Sequence, residues 1–435
     1  MRLPVPDPGP DAAVAFVGEH LADLACDTPA ASPSFRGGQS AADAALAALD
    51  VTNYARRRNE VWPPERRGAS RMSPWIRHGL LSLPALWEHV ADAPSRDRTK
   101  YRDELAWQEY ARHVYARVGT RLGDDLRAHP PRPPELWEDP WPRDMACMDT
   151  TVSELHEDGW LVNQTRMWLA SQWTVRAGAR WRDGEDAFFT HLLDGSRAAN
   201  RLGWQWTVGS GTGKAYGFSR YQVEKRAPKL CAGCALNDAC PIQDWPSDTQ
   251  RGGAGPSRTE QRTERIEPPS LLRSDPDSDA TAGPSSPAGP SSTVDLPDVD
   301  AGDAAQRSST IDAVWLTAES LGDDDPALAA HDGVPAVFVF DEPLLRRLRL
   351  SGKRLVFLAE TLADLATRRP VELHRGRVPD ELGDRRLAAT FAPVPGFRRL
   401  SAQVEPTAVH PWPWLFRPHA GRLQSYTAWR KSMPS

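Results

Sequence analysis

Three cysteines stand close together in LCAGCALNDACP, Cys231 and Cys234 as a CxxC pair and Cys240 just before a proline. Soft thiolates at that spacing suit iron or zinc. A fourth ligand is needed, and Cys147 in RDMACMD, 84 residues before Cys231, is the candidate. Cys26 lies in a Pro/Ala-rich stretch outside any periodic helix. Four thiolates fit either a structural zinc or a cubane iron-sulfur cluster, and the spacing alone favours neither. A second stretch, Trp181 to Gly213, holds three tryptophans, an acid cluster and a glycine-rich turn. Trp204 and Trp206 straddle Gln205, so one indole can face a buried partner while the other faces a cavity. A Trp-rich core hairpin would account for the same residues.

These groups must be carried by a scaffold, and hydrophobic periodicity describes one. From Gln39 to Leu230, apolar residues recur at three and four spacing in AADAALAALDVTNYARRR, PALWEHVADA, YRDELAWQEYARHVYARV, LVNQTRMWLASQWTVRA and EDAFFTHLLDG. Ser82 marks one helix start, and Pro-rich gaps such as HPPRPPELWEDPWP separate others. An all-helical domain over 39–247 is expected. From Asp248 to Ser309 the sequence collapses into Gly, Pro, Ser, Asp and Arg, too poor in apolar residues to order itself, and predicts a disordered linker over 248–309. Beyond it AVWLT, AVFVF, VELHRG and LAATFA read as short strands, with RLVFLAETLADLATRR as an amphipathic helix between two of them. That alternation predicts a small parallel α/β domain over 310–435, leaving 1–38 as an N-terminal connecting segment.

Composition bounds the function. The 435 residues hold 53 basic and 58 acidic side chains, a net charge of −5, so charge alone does not announce nucleic-acid binding. No apolar run approaches the ~18 residues of a membrane span, and MRLPVPDPGPDAA lacks the regions of a secretory signal. A cytoplasmic location without membrane association is the expectation, where thiols cluster for metal sooner than for disulfides. Nothing fixes the oligomeric state, and a monomer is the default.

Four segments, GASRMSPWIRHG (68–79), DELAWQEYARHV (103–114), GWLVNQTRMWLAS (159–171) and LLDGSRAANRLGWQWTVGSGTG (192–213), resemble the flavin-binding domain of the photolyase/cryptochrome family in order and spacing. The resemblance covers about Gln39 to Arg220. RDMACMD with LCAGCALNDACP resembles the iron-sulfur bacterial branch, which implies a 4Fe-4S cluster on Cys147, Cys231, Cys234 and Cys240. FAD contacts are implied at Tyr54, Ser70, Met72, Ser73, Arg166, Asp194, Ser196 and Asn200. Ser70 and Ser73 suit the diphosphate, since hydroxyls and helix N-terminal NH groups receive anions, although a plain N-cap is the simpler role. Asn200 falls where the family has an Asn at flavin N5, Arg166 and Asp194 where it has an ion pair beside the ring. Ser196 replaces a second acidic contact.

The same resemblance implies an electron relay through Trp204 and Trp181, 23 residues apart, with Trp137 and Trp141 as candidates for a third member. Glu104, Trp107, Asn163, Met167 and Trp206 match the pocket for a cyclobutane pyrimidine dimer; (6-4) enzymes place histidines where Asn163 and Met167 stand. Base-flipping enzymes, photolyases among them, draw the lesion out of the duplex to reach such a pocket. Arg77, Arg112, Lys214, Arg220 and Lys225 are candidates for a DNA phosphate rim. Ala69, Gln108 and Gln164 depart from the family's Thr, Arg and Arg. The C-terminal part, from AVWLTAESLGDDDPALAA to RLQSYTAWRKS, resembles the family's other half, which in most relatives comes first, so the domain order looks circularly permuted. The arginines usual in its opening loop are absent, leaving an antenna chromophore without an assigned site. The implied partner is UV-damaged DNA, and the implied activity is light-driven repair of cyclobutane dimers by electron transfer from reduced FAD. A cryptochrome-like photoreceptor, a (6-4) photolyase and a non-photochemical DNA-binding iron-sulfur protein are the alternatives.

Overall fold

A computed structural model describes residues 1–127, 138–211, 213–244, 311–421 and 423–433. The linker expected over 248–309 lies outside them, as does Trp137. Helices α1 (Pro10–His20), α2 (Gln39–Ala47), α3 (Tyr54–Arg57), α4 (Ser73–Arg77), α5 (Leu83–His89), α6 (Ser95–Val118), α7 (Ala146–Glu157), α8 (Asn163–Ser171), α9 (Trp181–His191), α10 (Arg197–Val208) and α11 (Arg220–Arg226) make up the first half. The Ser82 hydroxyl caps α5 by accepting from the Ala85 amide at 3.2 Å, as its place before LPALWEHV predicts.

Strands β1 (Arg2–Leu3), β2 (Ala313–Leu316), β3 (Ala336–Asp341), β4 (Val371–Gly376), β5 (Leu387–Thr390) and β6 (Ala408–His410) form one sheet in the order β1-β4-β3-β2-β5-β6. The strands from β2 to β6 are parallel, and β1 closes one edge antiparallel, pairing Arg2 with His374 and Leu3 with Leu373. The five parallel strands follow the doubly wound order, in which the chain returns through the middle and reverses direction. Helices α12 (Pro326–Ala330), α13 (Glu342–Leu348), α14 (Gly352–Ala366), α15 (Val378–Leu382), α16 (Phe397–Val404) and α17 (Tyr426–Ser432) complete this half.

The N-terminal segment is more than the connection expected of residues 1–38. It supplies β1 to the sheet edge, and α1 packs on α14. A two-residue strand has no periodicity to read, and α1 is held in place by burying Ala13, Phe16 and Val17. Helix α14 is buried nearly all round, with Lys353, Arg354 and Glu360 inside along with its apolar residues. An all-round buried helix lies between layers rather than on a surface. One apolar core accordingly runs from Leu3 and Phe16 through Trp75 and Tyr101 to Phe338 and Phe357, spanning both halves of the chain.

The seam between the halves is tight and polar. Arg354 donates to the carbonyl of Phe189 and stacks 4.5 Å over its ring. Gly79, at φ +72°, approaches the Glu319 carbonyl so closely that a Cβ would lie 2.1 Å from it. His78 bridges the halves, with Nδ1 2.7 Å from the Ala318 carbonyl and Nε2 3.2 Å from that of Leu193. Burial, aided by Arg77, drives the His78 pKa down to about 3. Below pH ~6.5 the unfolded chain takes up a proton at this residue that the folded chain refuses until about pH 3. Stability is therefore present above pH ~6.5 and falls on acidification, by at most ~1.4 kcal/mol per pH unit from this group. Thermal melts at pH 7 and pH 5 are expected to differ less in His78→Gln than in the parent chain.

Candidate functional site

Three helices of the helical half, α6, α8 and α10, carry the implied substrate residues and the flavin residues Arg166 and Asn200, with α10 packed against both α6 and α8. Arg166, on α8, donates from both terminal nitrogens to Asp194, at 3.2 and 2.7 Å, and from Nε to the Leu161 carbonyl at 3.0 Å. Such a fork on a buried carboxylate fixes both side chains as one rigid charged unit. Asn200 lies in the first turn of α10, and its Nδ2 is buried with no hydrogen-bond partner. A buried amide donor left unpaired is costly unless a ligand satisfies it, so this atom fits an acceptor on a bound ring.

Ser196 has a structural role at a helix start. It is the N-cap of α10, its hydroxyl accepting from the Ala199 amide at 3.5 Å. Serine suits a helix start, whereas a flavin role for this position rests on its place in the loop alone. Conversely, neither Ser70 nor Ser73 is a plain N-cap. Met72 holds the N-cap position of α4, and the Ser73 hydroxyl accepts from Trp160 Nε1 at 2.9 Å. Ser70 lies beside the buried Tyr101 hydroxyl. Tyr54 packs edge-on to the Tyr101 ring at 5.1 Å, and burial with nearby Glu104 pushes its pKa up.

Glu104 and Trp107 lie on α6, Asn163 and Met167 on α8, and Trp206 on α10. Glu104 is paired with Arg58 at 3.1 Å and Lys100 at 2.9 Å. Trp107 and Trp206 are 42% and 43% exposed, unusual for indoles in a chain with so large a core. Trp206 is 5.5 Å from the Tyr216 ring, and Gln164 donates to the Tyr216 hydroxyl at 3.2 Å. Tyr426, of α17, stacks on Trp107 at 3.8 Å and nearly parallel, its hydroxyl bonded to Asp103. No sequence pattern singles out Tyr426; its contact spans more than three hundred residues.

The Trp-rich stretch is two helices, α9 and α10, rather than a hairpin. Residues two apart on a helix point to nearly opposite sides, so Trp204 is 3% exposed while Trp206 faces solvent. Trp204 contacts Trp173 at 6.4 Å, and Trp173 contacts Trp141 at 4.8 Å. Trp173 sits in a π-helical turn, Gln172–Arg176, that follows α8 and rotates it out of the α8 register. Trp181 instead donates to Asp125 at 2.8 Å and lies under Arg182. The family resemblance points to Trp181, whereas no motif marks Trp173.

Cys147, Cys231, Cys234 and Cys240 line one small cavity with Met145, Arg220 and Ile242. The Ala146 amide donates to Cys234 Sγ at 3.4 Å. Burial and the other three thiols push the Cys147 pKa up to about 12, and burial with Glu224 pushes Cys231 to about 11. Among the described residues no three of these sulfurs come within 4.8 Å of one another. Four thiols on one cavity could hold a structural zinc, with its sulfurs ~3.8 Å apart, or a cubane, which spreads its thiolates over separate irons.

Three arginines of the expected phosphate rim have partners within the chain. Arg77 pairs with Glu319 and donates to the Gly195 carbonyl. Arg112 lies over the Trp412 ring at 5.1 Å, beside buried Glu109. Arg220 donates to the Asn237 carbonyl and side chain, both at 2.7 Å, bracing the cysteine loop. Glu319 and Trp412 lie hundreds of residues from Arg77 and Arg112, which sequence spacing could not show. Lys214 is exposed.

Residues 101–230 match the family model described as the FAD binding domain of DNA photolyase. The chain is 29% identical to a deoxyribodipyrimidine photo-lyase of Synechococcus sp. over 37% of its own length and 36% of the relative's. It is 32% identical to a deoxyribodipyrimidine photo-lyase of Thermus thermophilus, over 41% of this chain and 44% of that one. The match thus spans less than half of these curated relatives. A solved cryptochrome of Synechocystis sp. shares 23% identity over 54% of this chain and 52% of that one, with a TM-score of 0.42. No helix among the described residues is long and apolar enough to cross a membrane. The likeness to the FAD binding domain of DNA photolyase is thus carried by residues 101–230 of the helical half.

Proposed function

We propose that the chain is a DNA repair photolyase that binds reduced FAD and splits cyclobutane pyrimidine dimers with light. The observation that carries this reading is the pair of exposed indoles, Trp107 on α6 and Trp206 on α10, α10 packing on both α6 and the α8 that carries the Arg166–Asp194 fork. Bound FAD supplies the photoexcited electron. Arg166 and Asp194 orient and balance charge at the ring, Asn200 offers it an unpaired donor, and Ser70, Ser73, Tyr54 and Met72 complete its surroundings. Glu104, held by Arg58 and Lys100, accepts from a pyrimidine N–H, and Trp107 and Trp206 receive flipped bases by stacking. Asn163 and Met167 complete this pocket.

Base stacking is worth ~1–3 kcal/mol per base, and ~1.4 kcal/mol is tenfold in affinity. Trp107→Ala is therefore expected to weaken binding of a dimer-containing oligonucleotide by about 10- to 100-fold while leaving undamaged DNA binding nearly unchanged. Equal losses for both DNAs, read by fluorescence anisotropy, would sink the pocket assignment.

Trp204, with either Trp181 or the packed Trp173 and Trp141, is the route by which oxidised flavin regains electrons from outside. Trp173→Phe is expected to slow photoreduction several-fold, with FAD content intact; an unchanged rate points back to Trp181. The four-cysteine cavity supports a 4Fe-4S cluster that ties α7 to the loop after α11, and iron content per chain tests it. The order of the halves supports a circular permutation, as does the docking of β1 and α1 onto the C-terminal sheet. One observation favours the photoreceptor reading: Arg77 and Arg112 are committed to internal partners, which leaves fewer phosphate contacts.

A further inference from the structure

We propose that Cys26, Asp27 and His191 form a binding site for one zinc-class divalent cation that staples the N-terminal segment to the helical half. The site is separate from the four-cysteine cavity and involves no residue assigned above.

A thiol sulfur from Cys26, a carboxylate oxygen from Asp27 and a ring nitrogen from His191 lie within 4.8 Å of one another. Zinc bonds of ~2.0–2.3 Å bring tetrahedral ligands to ~3.3–3.8 Å, so small side-chain rotations close the set on an ion. Asp27 and His191 are already near that spacing, with Oδ2 3.8 Å from Nδ1. The four cavity thiols show the opposite geometry, since no three of them come that close among the described residues.

The backbone around these ligands is fixed before any metal arrives. The Cys26 amide donates to the Leu350 carbonyl at 3.0 Å, and the Gly352 amide, at the start of α14, donates to Asp27 Oδ1 at 2.6 Å. That leaves Asp27 Oδ2 available. His191 ends α9, and its Nδ1 is buried with no hydrogen-bond partner. An unpaired buried imidazole nitrogen beside a thiol and a free carboxylate oxygen is a ligand without its ion.

Charge balance also favours a dication. Binding displaces one proton, from the Cys26 thiol, and the thiolate with Asp27 then neutralises two positive charges. Lys353 is the ammonium nearby, and its Nζ is committed to the His156 carbonyl at 2.6 Å. Soft sulfur with imidazole and carboxylate selects zinc over calcium or magnesium. His156, whose ring centre is 4.3 Å from that of His191, is the nearest side chain for the fourth position, which water fills otherwise.

The test uses the full chain carrying Cys231→Ser and Cys234→Ser, which removes the other thiolate set as a competitor. After chelation and dialysis the protein is given Zn²⁺, freed of excess, and analysed for zinc by mass spectrometry. One zinc per chain is expected, falling to near zero in His191→Ala with an unchanged circular dichroism spectrum. In the parent chain, without any variant, zinc should slow alkylation of Cys26 by iodoacetamide at least tenfold, read on the Cys26 peptide. Zinc that remains after His191→Ala, or Cys26 alkylation at one rate with and without zinc, overturns the proposal. Neither outcome bears on flavin binding or repair.

Discussion

Arg166→Ala is expected to yield a chain that purifies with little or no flavin and melts a few degrees below the parent. The substitution removes both arms of the fork on Asp194 and leaves a carboxylate that is only 5% exposed without its countercharge. Breaking a buried ion pair from one side costs ~3–5 kcal/mol, and the 24% exposure of the Arg166 side chain puts this case at the lower end. For a chain of this size, with an unfolding entropy of ~2.1 cal/mol/K per residue, that is a drop of roughly 3–5 °C in melting temperature. The second consequence separates a binding role from a structural one. Replacing both members, Arg166→Met with Asp194→Leu, removes the stranded charge and should recover much of the melting temperature but none of the flavin. Full flavin absorbance in Arg166→Ala would contradict the placement of the ring beside this pair.

Gly79→Ala is the second change with a large expected effect, and it acts on the seam. The new Cβ would lie 2.1 Å from the Glu319 carbonyl oxygen, with backbone on both sides, at a φ of +72° that L residues rarely adopt. Neither side can give by side-chain rotation, because the obstacle is main chain. Gly322 faces Gly79 from the other half with an equally close approach. Gly333 is the control: its φ is +77°, yet nothing lies within 4 Å of its Cβ position. Gly333→Ala should carry only the conformational cost, ~1–3 kcal/mol, whereas Gly79→Ala should also part the halves. Limited proteolysis should then cut the Gly79 variant at the seam, with α14 exposed, and leave the Gly333 variant as resistant as the parent. Equal resistance would mean that the halves do not depend on this contact.

These two residues also show what the sequence discloses and what it hides. Helices α2, α5, α6, α8, α9 and α14 and the strands β2 to β5 are legible because each buries a periodic or continuous apolar face; VELHRG is β4 residue for residue. Strands β1 and β6 are not, because two or three residues at a sheet edge carry no period. The cysteine constellation is legible as a set, since thiols are rare and clustered, and the structure brings all four to one cavity. The spacing of Trp204 and Trp206 implies one indole inside and one outside, and the helix sends them so for a different reason than a hairpin would. For the DNA rim, the sequence does not show that an arginine's partner is chosen by the fold: Glu319 for Arg77 and the Trp412 ring for Arg112. Trp173 and Tyr426 are invisible for the same reason, one placed by a π turn and the other by a helix docked from the far end of the chain.

Electron transfer from this site to a cyclobutane dimer under light can be measured directly. The purified chain, loaded with FAD and reduced, is mixed with an oligonucleotide containing a thymine dimer and illuminated with blue light. The thymine absorbance lost on dimer formation is expected to return in the light and not in the dark, and Trp107→Ala to slow its return greatly. Reduced flavin bound to the chain, with dimer DNA present and no recovery of thymine absorbance on illumination, would contradict a repair function.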